Sequence, residues 1–325
     1  MGSARAHHRC MTARKPIPST LSGPSFSVRD ARLTGVSPSR LRATDLAVPF
    51  VGIRARVPDA DPPHIGFDFA AATRSVVKLA HQYAPRLKPG QFFCEMTAIA
   101  LHGLPVPSSR LLERDVHVAV PFPRTAPRAR GMIGHQFSVN LVLQRDGLPV
   151  SSAIDAWIDC AGRCSVDELV VLGDGLLRRQ DPFATGDDLV EAVRSHPNRP
   201  GSRKLARALG RIRAGTDSPK ETELRLLIVD AGLPEPMVNH IIRDDSGVQV
   251  AISDLAYPRW LVAIEYQGGY HFDVPSQKRK DIDRIAAIED VGWRVVQVHK
   301  DHLLEGGSVA IAKVSKALLD AGWRP

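Results

Sequence analysis

The sequence predicts a mixed α/β fold, and two observations support that class. In the last third of the chain, apolar, β-branched runs alternate with segments of helical periodicity, in the order α-β-β-β-α-β-α. Upstream, short strand-like runs among helical segments predict a small α/β layer followed by a helical connector. With 325 residues, the chain is long enough for two or three domains with sizeable cores.

The pattern divides the chain into five parts. The first is rich in Arg, Ser and Pro, so we expect it to be disordered. The parts are a basic tail (1–25), a winged helix-turn-helix-like segment (26–60), an α/β middle domain (61–148), a helical connector (149–214) and a C-terminal α/β domain (215–325).

The second part has a helix-turn-helix pattern. Residues 28–35 predict a helix that ends at a glycine, residues 37–42 predict a second helix, and residues 50–57 alternate like a strand. This order resembles a truncated winged helix-turn-helix. Four arginines on the second helix and on one face of the strand are candidate DNA contacts, although a solvated basic face is the alternative: Arg40, Arg42, Arg54 and Arg56.

The middle domain and the connector are interpreted as a scaffold. Helices are predicted at residues 67–83 and 92–102, and strands at 117–120 and 135–142. Three histidines there are interpreted as structural rather than catalytic: His102, His117 and His135. The connector predicts four helices, of which the last is strongly basic: 152–162, 166–178, 187–195 and 203–213.

The C-terminal domain begins with a complete set of helix signals. Ser218 suits the N-cap, Pro219 suits the first helical position, and Gly232 suits the position after the helix. Glu221 lies three residues after the cap, near the buried stripe. A capping glutamate is one interpretation, and it is compatible with a second role in holding a metal.

Residues 250–269 then predict a β-hairpin with a turn at Pro258. If the turn is centred near residues 259 and 260, Asp254 lies opposite Glu265, and a slip of two residues would make them diagonal neighbours. Gln267 shares the face of Glu265 because side chains alternate along a strand.

Two carboxylates roughly 5–8 Å apart on an apolar sheet need a cation, since burying like charges is costly. A hard divalent ion, Mg²⁺ or Mn²⁺, suits such oxygen ligands. An exposed hairpin with solvated acids is the alternative.

Together these residues resemble the PD-(D/E)XK nuclease superfamily. The pattern comprises Glu on the first helix, Asp on the second strand and Glu-x-Gln on the third. The similarity is greater to the very-short-patch-repair-like endonuclease group of actinobacterial proteins, through residues 221–225, 231–236, 254–258, 265–271, 281–284 and 292–296. The resemblance implies a restriction-endonuclease-like core in the C-terminal domain.

The resemblance also implies roles for individual residues. Asp254 and Glu265 would be the main metal ligands, and Glu221 would support the metal or its water. His271 would assist proton transfer or contact the scissile phosphate, with a surface-loop histidine as the alternative.

Two further residues on the following helix, Asp281 and Arg284, would order the site or hold a DNA phosphate. Two positions depart from the superfamily pattern. Gln267 stands at the lysine position, and Gln297 stands where relatives tend to carry arginine. Glutamine supplies no positive charge, although its carbonyl can orient a water.

The N-terminal half resembles a second group. Residues 32–42 and the motif at 97–105 are similar to AbiEi-type abortive-infection antitoxins, which implies a DNA-binding winged helix followed by an AbiEi-like middle domain. Relatives often carry Ser-His where this chain has Cys94-Glu95.

Composition agrees with a nucleic-acid partner. The net charge is +8. The sequence contains no run of about 20 apolar residues, so no membrane span is predicted. We expect a cytoplasmic, metal-dependent DNA endonuclease that uses Mg²⁺ or Mn²⁺. The alternative is a non-catalytic DNA-binding regulator with a decayed nuclease domain. A homodimer and a toxin–antitoxin or repair partner are left open.

Overall fold

The structure is a computed structural model that describes residues 15–57, 69–110, 113–138, 141–268 and 275–325. The side chains of residues 275–278, 280 and 281 lie outside that description. The predicted class is confirmed, because the described residues form an α/β protein whose strands build three sheets. None of the helices in the described ranges is long and apolar enough to cross a membrane.

The elements are numbered along the chain. The helices of the described residues are α1 (Val28–Leu33), α2 (Phe69–Tyr83), α3 (Glu95–Leu101), α4 (Ala153–Cys160), α5 (Val166–Leu176), α6 (Gly186–Arg194), α7 (Ser202–Leu209), α8 (Pro219–Asp230), α9 (Pro275–Asp290) and α10 (Ser308–Asp320). The strands are β1 (Ser25–Ser27), β2 (Leu46–Ala47), β3 (Ile53–Arg56), β4 (Phe92–Phe93), β5 (Val116–Pro121), β6 (Met132–Phe137), β7 (Val142–Arg145), β8 (Leu148–Ser151), β9 (Met237–Arg243), β10 (Gln249–Tyr257), β11 (Val262–Gln267) and β12 (Arg294–His299).

The N-terminal segment contains one α-helix and a small antiparallel sheet in the order β1-β3-β2. Helix α1 begins where Ser27 Oγ accepts a hydrogen bond from the N–H of Asp30 at 2.9 Å. The second predicted helix is wrong as an α-helix, because only a three-residue 3-10 turn, Arg40–Arg42, is present. Strand β2 begins at Leu46, so too few residues are left for a longer helix.

The middle sheet has five strands in the order β6-β5-β4-β8-β7. The prediction of one helix over residues 92–102 is wrong at its start, because Phe92 and Phe93 form β4 and pair with β5. The strand predicted at 135–142 is two strands, the end of β6 and the start of β7. The connector helices form within the predicted ranges to within one residue and are mostly shorter.

One hydrophobic core serves both the middle sheet and the connector. Val118 on β5, Trp157 on α4 and Leu172 on α5 are all completely buried in it. The indole N–H of Trp157 donates to the carbonyl of Leu169 at 3.0 Å, so its only polar atom is satisfied. The middle domain and the connector therefore pack as one unit.

The C-terminal sheet has the order β12-β11-β10-β9, with β11 and β12 parallel and the other pairs antiparallel. Helices α8 and α10 pack on one face through Leu224, Ile228 and Val314. Helix α9 covers the other face through Ile288, beside Ala263 of β11. The predicted order α-β-β-β-α-β-α is confirmed.

Helix α8 joins this sheet to the rest of the molecule. Leu226 packs into the core of the middle domain, whereas Leu224 packs against the C-terminal sheet. Asp174 of α5 is completely buried and pairs with Arg225 at 2.7 Å, and it accepts a hydrogen bond from Thr222 at 2.8 Å. A buried ion pair thus fixes α8 against α5.

Candidate functional site

Strands β10 and β11 form the predicted hairpin around the 3-10 turn Pro258–Trp260. Leu255 lies opposite Ile264, and continuing that register by one residue places Asp254 opposite Glu265. Because side chains alternate, both carboxylates are on the sheet face that α9 covers. The sequence prediction of their pairing agrees with this register.

Asp254 is half-buried at the centre of the site. Its Oδ2 accepts a hydrogen bond from the N–H of Tyr266 at 2.7 Å. Burial, and after it the carboxylate of Glu265, raises the pKa of Asp254 to about 7, although the Tyr266 N–H and Arg284 act in the opposite direction. A carboxyl with this pKa gains a proton or a cation readily near neutral pH.

Glu265 is completely buried and contacts the guanidinium of Arg284, whose Nη1 lies 2.8 Å from Oε2. Neither carboxylate oxygen has a partner in full hydrogen-bond geometry among the described residues, although the Ser253 hydroxyl and the Asp254 N–H lie close enough to the carboxylate to lower its pKa. Burial raises the pKa of Glu265, whereas Arg284 opposes that increase. Arg284, expected to hold a phosphate, instead faces a carboxylate in this structure.

Glu221 lies at the N-terminus of α8 and is buried. Ser218 caps the helix as predicted, and its Oγ accepts from the N–H of Glu221 at 3.3 Å. Glu221 Oε2 accepts from the N–H of Asp217 at 3.0 Å; because Asp217 precedes the N-cap, this bond is not the reciprocal one of a capping box. Burial, followed by the charge of Asp254, raises the pKa of Glu221 to about 7.

Asn239 of β9 is a site residue that no feature of the sequence indicates. Its Nδ2 donates to the carbonyl of Gly215 at 2.7 Å and to Glu221 Oε2 at 3.3 Å. Its φ of +46° is left-handed, a conformation that Asn tolerates better than most residues. A single Asn in a strand gives no sequence signal, so only the structure identifies this link between β9 and Glu221.

The three carboxylates are not spaced as the ligands of one metal ion in this structure. Glu221, Asp254 and Glu265 influence one another's pKa. Their ligand atoms do not all lie within 4.8 Å of one another. Within the described ranges, a different group of residues meets that spacing. Arg284 already compensates the charge of one of these carboxylates, Glu265.

The structure describes only some of the other predicted site residues. Gln267 ends β11, half-buried, opposite His299 of β12. His271 lies outside the described residues, and Asp281 is on α9 with its side chain outside them. The second departure, Gln297, lies directly opposite Glu265 on β12.

The arginines predicted to contact DNA have mostly internal partners. Arg40 donates to both carboxylate oxygens of Asp45 at 3.0 and 2.8 Å, and to the carbonyl of Lys15. Arg54 and Arg56 share one face of β3, as predicted, but Arg54 donates to the carbonyl of Leu41 at 2.6 Å. One further arginine of the predicted set is exposed, Arg42.

A second polar cluster lies in the middle domain. Glu95 at the start of α3, His117 on β5 and His135 on β6 each offer a ligand atom, and these atoms lie within 4.8 Å of one another. This triad is a possible metal site in the described chain. The interpretation of His117 and His135 as structural did not identify this cluster, whose three residues lie in separate segments that no spacing motif connects.

Two members of the triad, Glu95 and His135, have the protonation states that metal binding needs. Burial, opposed in part by Glu95, lowers the pKa of His135 to about 4. Burial alone would raise the pKa of Glu95, but His117, His135 and Arg163 outweigh it and lower that pKa. At neutral pH the carboxylate is therefore ionised and the imidazole of His135 is neutral.

Comparisons with known proteins give distant relatives. The chain is 25% identical over 227 residues to two uncharacterized proteins from two strains of Mycobacterium tuberculosis, a match that covers 69% of this chain and 80% of each relative. No family model matches the chain, and no solved structure matches it.

Proposed function

We propose that the chain is a metal-dependent DNA endonuclease whose active site lies on the β10–β11 hairpin. The observation that carries the proposal is the register that sets Asp254 opposite Glu265, with the buried Glu221 close enough to be affected by Asp254. The resemblance to very-short-patch-repair-like nucleases of the PD-(D/E)XK superfamily supports it. DNA is the proposed partner, and the net charge of +8 favours an anionic one.

The residues present fit a hard divalent ion. Both oxygens of Glu265 are buried and lack partners in full hydrogen-bond geometry, and burial beside Glu265 raises the pKa of Asp254 to about 7, so a cation between them would stabilise both carboxylates. Asp254 and Glu265 would hold Mg²⁺ or Mn²⁺, with Glu221 behind them. A bound ion of this kind supplies an activated water and neutralises charge on the phosphate oxygens.

The chain's own side chains would prepare the site. The Tyr266 N–H fixes Asp254, and Asn239 together with the Asp217 N–H fixes Glu221. Arg284 is half-buried and would move from Glu265 to a phosphate oxygen once a cation compensates that carboxylate. Gln267 offers a carbonyl that can orient water but cannot act as a base.

One observation favours a second function, a DNA-binding regulator without cleavage. Arg284 already compensates Glu265, and Gln267 replaces the expected lysine, as in a site that has lost its metal. Such a protein would retain salt-sensitive DNA binding when both carboxylates are removed.

Nicking of supercoiled plasmid by the full chain, with Mg²⁺ or Mn²⁺, distinguishes the two functions. We expect cleavage by the wild type and by Glu289→Gln, an exposed matched control on α9, and at least about 100-fold less by Asp254→Asn and Glu265→Gln. Equal nicking by all four proteins would indicate a contaminant and would refute the proposed site. DNA binding without cleavage by any of them would support the regulator.

A further inference from the structure

The Glu95–His117–His135 triad is built by three neighbouring elements. Strands β5 and β6 are parallel, and His135 lies opposite Ala119, so that His117 and His135 are diagonal neighbours on one sheet face. Glu95 lies two residues after the end of β4 and begins α3, with Cys94 as the N-cap. Glu95 and His117 are buried, and His135 is mostly buried, so the cluster has a defined environment.

The three side chains of the triad are in mutual contact. His117 Nδ1 lies 3.0 Å from Glu95 Oε2 and 3.0 Å from His135 Nε2, and the other ring nitrogen of His135, Nδ1, lies 3.2 Å from Glu95 Oε1. Ligands at about 2.0 Å around a tetrahedral ion are about 3.3 Å apart. The two distances from His117 Nδ1 are close to that spacing, and one ligand atom from each residue lies within 4.8 Å of the others.

One proton would have to leave the cluster for a metal to bind. The His135 Nδ1 atom beside Glu95 Oε1 can carry the ring proton, which leaves a lone pair on Nε2 that can accept the hydrogen bond from His117 Nδ1 at 3.0 Å. The same His117 Nδ1 lies 3.0 Å from the buried Oε2 of Glu95. Loss of the His117 Nδ1 proton on metal binding would free one carboxylate oxygen and two ring nitrogens as ligands.

The backbone places Glu95 in the cluster at a conformational cost. Its φ of +44° lies in the left-handed region, which favours glycine. The neighbouring Thr97 Oγ1 accepts a hydrogen bond from the N–H of His117 at 2.9 Å and so fixes α3 to β5. Strained backbone at a buried polar cluster is a recurrent feature of functional sites.

We propose that Glu95, His117 and His135 bind a divalent transition-metal ion of the Zn²⁺ class. Two imidazoles and one carboxylate suit such an ion, whereas Mg²⁺ prefers an all-oxygen set. The site is separate from the carboxylates of the hairpin, which lie on a different sheet. It goes beyond the proposed nuclease activity and does not depend on it.

Arg163 is the feature that opposes metal binding. Its Nε lies 3.3 Å from Glu95 Oε2, so its charge repels a cation and already neutralises the carboxylate. The Arg163 side chain is 41% exposed and has room to turn toward solvent. If the cluster is a metal site, removing Arg163 should strengthen metal binding. If it is only a metal-free ion-pair network, the same change should remove a stabilising contact of Glu95.

The test uses the full chain without a histidine tag, stripped with a chelator. We expect one equivalent of Zn²⁺ to bind in the presence of excess Mg²⁺, and Co²⁺ to give visible absorption bands typical of nitrogen and oxygen ligands. His135→Gln should weaken Zn²⁺ binding at least about 100-fold, and Arg163→Gln should strengthen it about 10-fold.

Two controls keep the result specific. His240→Gln removes a histidine outside the cluster, and Asp254→Asn removes a carboxylate of the hairpin; both should bind Zn²⁺ as the wild type does. Circular dichroism checks that each variant folds, and the Co²⁺ spectrum of the wild type needs no variant. A wild type that binds no Zn²⁺ at micromolar concentrations, or equal binding by His135→Gln, would overturn the proposal.

Discussion

Replacing Asp254 with Asn should stabilise the protein at alkaline pH. Burial and the nearby Glu265 raise the pKa of Asp254 from 3.8 to about 7 in the folded chain. Below about pH 4, both the folded and the unfolded chain hold the proton. Between about pH 4 and 7 the unfolded chain loses it first, so stability falls as pH rises and stays low above about pH 7.

The size of this effect follows from the same change in pKa. A change from 3.8 to about 7 corresponds to at most about 4 kcal/mol, and the partial exposure and coupling of Asp254 reduce it to about 1–2 kcal/mol. Asn is isosteric, and its Oδ1 still accepts from the Tyr266 N–H. At pH 8 we expect a melting temperature about 1–3 °C higher than that of the wild type, because 1 kcal/mol shifts the melting temperature of a 325-residue chain by only about 1.5 °C.

Thermal unfolding at pH 5 and pH 8, in a chelator, measures the effect. The gain should shrink to about a third at pH 5, because the pH dependence originates in the lost carboxyl. Asp245→Asn, an exposed position in the β9–β10 turn, should show no such difference. If Asp254→Asn is no more stable than the wild type at pH 8, Asp254 does not share a buried site with a second carboxylate, and the metal argument loses its basis.

Two further variants test other buried charges. Arg284→Gln should lower the melting temperature in a chelator, because Glu265 loses its cation, and added Mn²⁺ should restore more stability than it does in the wild type; equal responses to Mn²⁺ would contradict competition between Arg284 and a metal. Arg225→Leu should cost about 3–5 kcal/mol in denaturant unfolding, because it leaves Asp174 buried without its cation, and a loss below about 1 kcal/mol would be inconsistent with that pair.

Local rules account for the parts of the fold that the sequence predicted well. The start and end of α8 follow from Ser218, Pro219 and Gly232, and the hairpin register follows from the turn at Pro258. Both features depend on neighbours within a few residues.

Features that depend on distant segments were missed. The strand character of Phe92 comes from pairing with β5, and the triad joins three segments. The approach of Arg284 to Glu265 depends on how α9 packs across the sheet, which periodicity does not specify.

The placement of α8 between two cores determines where the polypeptide can be divided. A fragment that starts at residue 215 would expose Leu226 to water and separate Arg225 and Thr222 from Asp174. The complementary fragment would lose Arg225 and Thr222 from Asp174 and would expose the core residues that Leu226 covers. Expression of either half alone should therefore give aggregation-prone material, and mixing the two halves should restore solubility through this helix.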